Sequence, residues 1–89
     1  MNSSNVFTAW ITRYALTTGI KKVQAHETDH PGMIEEVGGS TIMPYHHGEG
    51  RDWHRTPESA LKRAEVMRAA KIKSHQASIS KLQKLKFNA

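Results

Sequence analysis

From Glu58 to Lys86 the chain contains neither glycine nor proline, and Thr56-Pro57-Glu58 stands directly before that run. Threonine accepts a hydrogen bond from the first free backbone N–H groups of a helix. Proline fits the first helical position, where its missing N–H costs nothing. A carboxylate in the first turn complements the helix dipole. The sequence therefore predicts a helical segment over 56–86, either continuous or broken once near Ala70–Ser78. About thirty helical residues span about 45 Å, whereas a compact chain of this size has a radius of gyration near 12 Å. Such a helix either folds back as a hairpin or overhangs the rest of the molecule.

At 100° per residue, Ala60, Leu61, Ala64, Met67, Ile72, Ile79, Leu82 and Leu85 fall within a sector about 140° wide. Lys62, Arg63, Lys73, Lys81 and Lys84 occupy the opposite sector. Arg68, Lys71 and His75 interrupt the apolar stripe and divide it into two patches, around 60–67 and 79–85. The second patch covers the chain's own sheet if the helix bends. It meets another molecule if the helix stays straight, and the spacing of Ile72, Ile79 and Leu82 fits a short heptad seam.

The first half reads as strands. Residues 6–15 are rich in β-branched and aromatic types. One face carries Val6, Thr8, Trp10, Thr12 and Tyr14, the other Phe7, Ala9, Ile11 and Ala15. Leu16-Thr17-Thr18-Gly19 is a turn. Ile20–Glu27 returns antiparallel, with Val23 and Ala25 inward and Lys22, Gln24 and His26 outward. His30-Pro31-Gly32 breaks the chain. Met33–Val37 is a third strand, with Met33, Glu35 and Val37 on one side and Ile34 and Glu36 on the other. Gly38-Gly39 suits a hairpin. Thr41–Tyr45 is a fourth strand that Pro44 confines to an edge or a strand end, and 46–55 is a loop. The expected fold is α+β: a small antiparallel sheet of three or four strands over 6–45, packed by a long C-terminal helix or by two, in one domain over 1–89.

Composition narrows the function classes. The chain has 89 residues and no cysteine, so disulfides and thiolate metal sites are excluded. No run approaches the roughly 18 apolar residues of a membrane span. Met1–Asn5 has neither the basic region nor the apolar core of a signal peptide. These features give an expectation of a cytoplasmic protein, in the host cytoplasm if phage-encoded. The net charge is +5, and it is unevenly placed. Residues 66–89 hold Arg68, Lys71, Lys73, Lys81, Lys84 and Lys86 and no acid, which is +6 and leaves −1 for everything before them. An acidic partner is implied: nucleic acid, an anionic membrane or an acidic protein surface; membrane docking is the weakest of these, because the apolar stripe holds no aromatic residue apart from Phe87 near its end.

His46-His47-Gly48-Glu49-Gly50-Arg51-Asp52-Trp53-His54 is the densest polar segment. Histidine and carboxylate bind zinc or act as base and acid, but the spacing matches no established metal motif. The segment reads more simply as structural, with Trp53 packing its ring under the helix start. His26, Asp29 and His30 form a looser group. No P-loop, dinucleotide fingerprint or nucleophile elbow is present. Trp10 and Tyr14 share a strand face on which bases stack if it is exposed.

Three segments also carry a resemblance: Trp10–Ile20, with its Tyr-Ala-Leu-Thr-x-Gly-Ile arrangement; Asp52–Ala60, with its capped helix start; and the lysine-rich Lys71–Ser74 and Lys81-Leu82. Over about half of the chain, this arrangement resembles small accessory proteins of phage and bacterial genomes. The class has no activity attached and transfers no functional residue. It implies that the chain binds and inhibits host machinery.

The reading from sequence is thus a non-enzymatic binding protein that docks on a host protein or nucleoprotein complex and inhibits it. Direct nucleic-acid binding through a basic helix face is the alternative. The binding residues are Lys62, Arg63, Lys73, Lys81, Lys84, Ile79 and Leu82. A homodimer through the C-terminal helix is a further arrangement. No catalytic residue, metal, cofactor or membrane contact is expected; a metal-dependent enzyme using His46, His47 and His54 is the third and weakest reading.

Overall fold

The computed structural model describes residues 5–38 and 43–88. Among the described residues five strands precede one helix: β1 (Phe7–Ile11), β2 (Lys21–Glu27), β3 (Met33–Glu36), β4 (Tyr45–His47), β5 (Trp53–His54) and α1 (Pro57–Gln83). The strands form one antiparallel sheet in the order β4-β3-β2-β1-β5. The fold is α+β, but the sheet has five strands where the sequence suggests three or four. The segment 46–55, read as a loop, contains β5 and most of β4. The turn at Gly39 and the strand start at Thr41 lie outside the described residues.

The register of β1 against β2 pairs Ala9 with Val23 and Phe7 with Ala25, which puts the small and branched residues on one face. Ala9, Ile11, Val23, Ala25, Ile34 and Trp53 form the buried core, with Phe7 packed against it. The alternation read from β2 therefore holds. β1 is shorter than the strand-like composition of 6–15 suggests. Beyond Thr12 the chain enters a turn, where Ala15 N–H donates to the Thr12 carbonyl and Thr18 N–H to the Tyr14 carbonyl. Gly19 closes this turn at φ +90°, a conformation that costs glycine little.

The sheet curls because its two ends are tied together. The Gly32 carbonyl, in the β2–β3 turn, accepts from the Gly48 N–H at 2.9 Å and from the Trp53 indole Nε1–H at 2.9 Å. The Gly50 N–H donates to the Trp53 carbonyl at 2.7 Å, and the Thr12 N–H to the Asp52 carbonyl at 2.8 Å. The segment after β4 is thus led across the sheet to pair β5 with β1, Trp10 opposite His54 and Ile11 opposite Trp53. Trp53 lies in the sheet core itself, with its ring 5.9 Å from Phe7.

The helix starts as its sequence predicts. Thr56 is the N-cap and its Oγ1 accepts from the Ser59 N–H at 3.2 Å, Pro57 is the first helical residue, and Glu58 lies in the first turn. It then runs unbroken to Gln83, so the break allowed near Ala70–Ser78 is absent. The helix packs on β5 and β1 through its N-terminal end alone. Ala60 is buried, Arg63, Ala64 and Met67 are half-buried, and every residue from Arg68 to Asn88 is exposed. The molecule accordingly measures 70 × 27 × 22 Å, with a Cα radius of gyration of 18.1 Å. Of the two outcomes open to a helix this long, the chain adopts the overhanging one. Among the described residues no helix is long and apolar enough to cross a membrane.

Candidate functional site

Three places in the fold concentrate chemistry: the projecting half of α1, the buried histidines, and a cleft at one end of the curled sheet.

On α1, the seven residues singled out from sequence separate into two groups. Lys73, Lys81, Lys84, Ile79 and Leu82 lie on the part of the chain that touches no strand, and all are exposed. Ile79 keeps 53% of its surface in solvent and Leu82 66%. Lys62 and Arg63 lie on the packed part. Lys62 is exposed, but Arg63 is half-buried and its Nε is shielded from solvent without a hydrogen-bond partner among the described residues. It lines grooves against Gly50 and Ser59 on one side and Leu16 on the other. The helical wheel places Arg63 in the basic back, whereas the packing turns it toward the sheet. Arg68, read as an interruption of the apolar stripe, holds Glu65 one turn earlier with two hydrogen bonds. No acid follows Glu65, so Lys71, Lys73, Lys81 and Lys84 have no carboxylate on their own helix to answer them.

The histidines of the 46–54 segment are not brought to one point. Alternation along β4 sends His46 inward and His47 outward. The His46 Nε2–H donates to Glu36 Oε2 at 2.7 Å, an ion pair if the ring is protonated, and both side chains are almost wholly buried. His54 belongs to a different network. Its Nε2 lies 2.9 Å from Thr12 Oγ1, and its Nδ1 2.7 Å from Ser59 Oγ. The Thr12 hydroxyl donates its proton to the Arg51 carbonyl at 2.8 Å. It must therefore accept from the His54 Nε2–H, which leaves Nδ1 to accept from the Ser59 hydroxyl. Burial first, and then the nearby Arg63 guanidinium, hold the His54 pKa below the ordinary 6.5, against the opposing pull of Asp52 and Glu49. His54 is thus a neutral strut joining β1, β5 and the first turn of α1. Among the described residues, no three His, Asp or Glu side chains gather as a metal site would require.

The cleft lies between the β1–β2 turn and the β3 and β4 strands, with a volume of about 310 Å³. Ile11, Tyr14 and Met43 give it apolar walls, and Lys21, Glu36 and His46 line its polar side. Lys21 Nζ is 3.6 Å from Glu36 Oε1. The other ring nitrogen of His46, Nδ1, is buried without a hydrogen-bond partner among the described residues. Sequence reasoning passed over this site, although one signal pointed to it. Glu36 shares a strand face with Ile34, and Ile34 is buried, so Glu36 also faces inward and needs a partner. What the alternation did not contain was the identity of that partner, ten residues away on β4.

No protein-family model matches the chain, and neither a curated protein nor a solved structure gives a significant match. The functional reading therefore rests on the geometry.

Proposed function

We propose that this chain is a non-enzymatic binding protein whose projecting helix docks on an acidic surface of a partner protein and inhibits it. In the phage-type reading the partner is a host macromolecule or defence complex. The observation that carries the proposal is the length of α1 beyond Met67. Every residue there is exposed, Lys71, Lys73, Lys81 and the C-cap Lys84 bring positive charge with no acid, and Ile72, Ile79 and Leu82 each keep half or more of their surface in solvent. A helix without tertiary contacts is marginal in water, and most helices are held by packing of an apolar face. Exposed isoleucine and leucine along such a rod gain from a protein surface and gain little from a phosphate backbone. Two copies laid side by side bring like charge against like, which disfavours the homodimer relative to an acidic partner.

Nucleic acid is the second reading, favoured by the acid-free row of cations, which suits phosphates. Affinity capture from nuclease-treated and untreated host lysate, using the wild type, the Ile79→Asp/Leu82→Asp double variant and the Lys73→Glu/Lys81→Glu/Lys84→Glu triple variant, separates the readings. Protein docking predicts one partner that survives nuclease and is lost in both variants. Nucleic-acid binding predicts loss with nuclease, steep weakening between low and moderate salt, and a loss in the lysine triple variant that exceeds the one in the Ile79/Leu82 variant, which lowers the positive charge of the helix by a smaller amount. Capture unchanged in both variants would show that α1 is not the docking element.

A further inference from the structure

We infer that the cleft between the β1–β2 turn and β3–β4 is a binding site for a small organic anion: a carboxylate on a compact apolar body. This inference is independent of the helix and its partner. A cleft of about 310 Å³ lies at the lower end of the sizes that hold small molecules, and the mouth of a curled sheet is a favoured place for them. Its apolar walls, Ile11, Tyr14 and Met43, take a ring or a short branched chain.

The polar side decides the sign of the ligand. Glu36 Oε2 accepts from the His46 Nε2–H at 2.7 Å, and Oε1 faces the Lys21 ammonium across 3.6 Å, close enough to pair the two charges but too far to take up an N–H donor. The Glu36 side chain is only 6% exposed. Its charge is answered and sequestered, so a ligand cation has no free carboxylate to meet. Lys21 is in the opposite position. Its side chain is 59% exposed, and at 3.6 Å it stands beyond ordinary hydrogen-bond reach of Glu36. Its three N–H donors therefore remain available at the cleft, and a carboxylate is their complement. Behind Lys21 the wall is fixed by His46, a nearly fully buried ring whose Nε2–H holds Glu36 in place.

The test uses the whole chain and two probes of equal shape and opposite charge, phenylbutyrate and phenylbutylamine. Proton–nitrogen correlation spectra are recorded along each titration. Phenylbutyrate is expected to give saturable shifts at Gly19, Lys21, Glu36 and His46. Lys21→Ala, at an exposed position that leaves the fold intact, should weaken it about tenfold, the size of one charge-assisted hydrogen bond. Lys73→Ala should leave it unchanged. Equal binding of the amine, indifference to Lys21→Ala, or shifts confined to the lysines of α1 would each overturn the assignment.

Discussion

His54 shows how one side chain fixes three elements at once. It is 1% exposed, accepts from Ser59 and donates to Thr12, and so ties the first turn of α1 to β1 across β5. Because burial lowers its pKa below 6.5, the unfolded chain takes up a proton at this residue before the folded chain does. The proton count of the unfolded state then exceeds that of the native state, so stability rises with pH across that interval. The contribution is complete above about 6.5 and is lost as pH falls from 6.5 toward the folded value. Thermal melts of the wild type should drop over that range, and a His54→Gln variant, although less stable overall, should lose that part of the slope. His46 makes a different demand. Its removal leaves the Glu36 carboxylate buried with only Lys21 nearby, and His46→Ala should cost about 3 kcal/mol or more by denaturant unfolding. Neither role was legible in the run His46–His54. Adjacent residues of similar chemistry were sent to different networks by strand alternation and by the crossing of the chain to β1.

Elements were legible where their signals are local. The cap at Thr56, the proline at Pro57 and the uninterrupted run behind them placed α1 within a few residues. Thr56→Ala should cost about 1 kcal/mol by the same assay, since it removes the acceptor for the Ser59 N–H. The alternation of Val23 and Ala25 gave the inward face of β2. β5 was invisible because both of its residues are buried: Trp53 enters the core on one face, and Ser59 at the helix start bonds His54 on the other. Burial from both sides erases the period-two pattern by which a strand is recognised. The helix itself carries a contrasting expectation. Ile79 and Leu82 touch nothing in the sheet, so Ile79→Asp/Leu82→Asp should change stability by no more than about 0.5 kcal/mol per site, while abolishing capture of the partner. A larger loss in thermal melts would mean that this patch is packed against the chain's own sheet.

The elongated outline of the molecule follows from the mismatch between a 27-residue helix and a sheet of short strands. Small-angle scattering of a monomer should give a radius of gyration near the 18.1 Å of the Cα trace. A value near 12 Å, the norm for a compact chain of this length, would mean that the helix folds back. The rod, its cap, the acid-free cationic tail and the apolar face of β2 were present in the order of the residues, because caps, periodicity and charge are properties of near neighbours. The closure of the sheet through Gly32, the inward turn of Arg63, the pairing of Glu36 with His46 and the cleft beside Lys21 were set by the folded chain. Each joins residues from different elements, and the desolvation that makes such a pairing matter exists only once the strands have curled around a common interior.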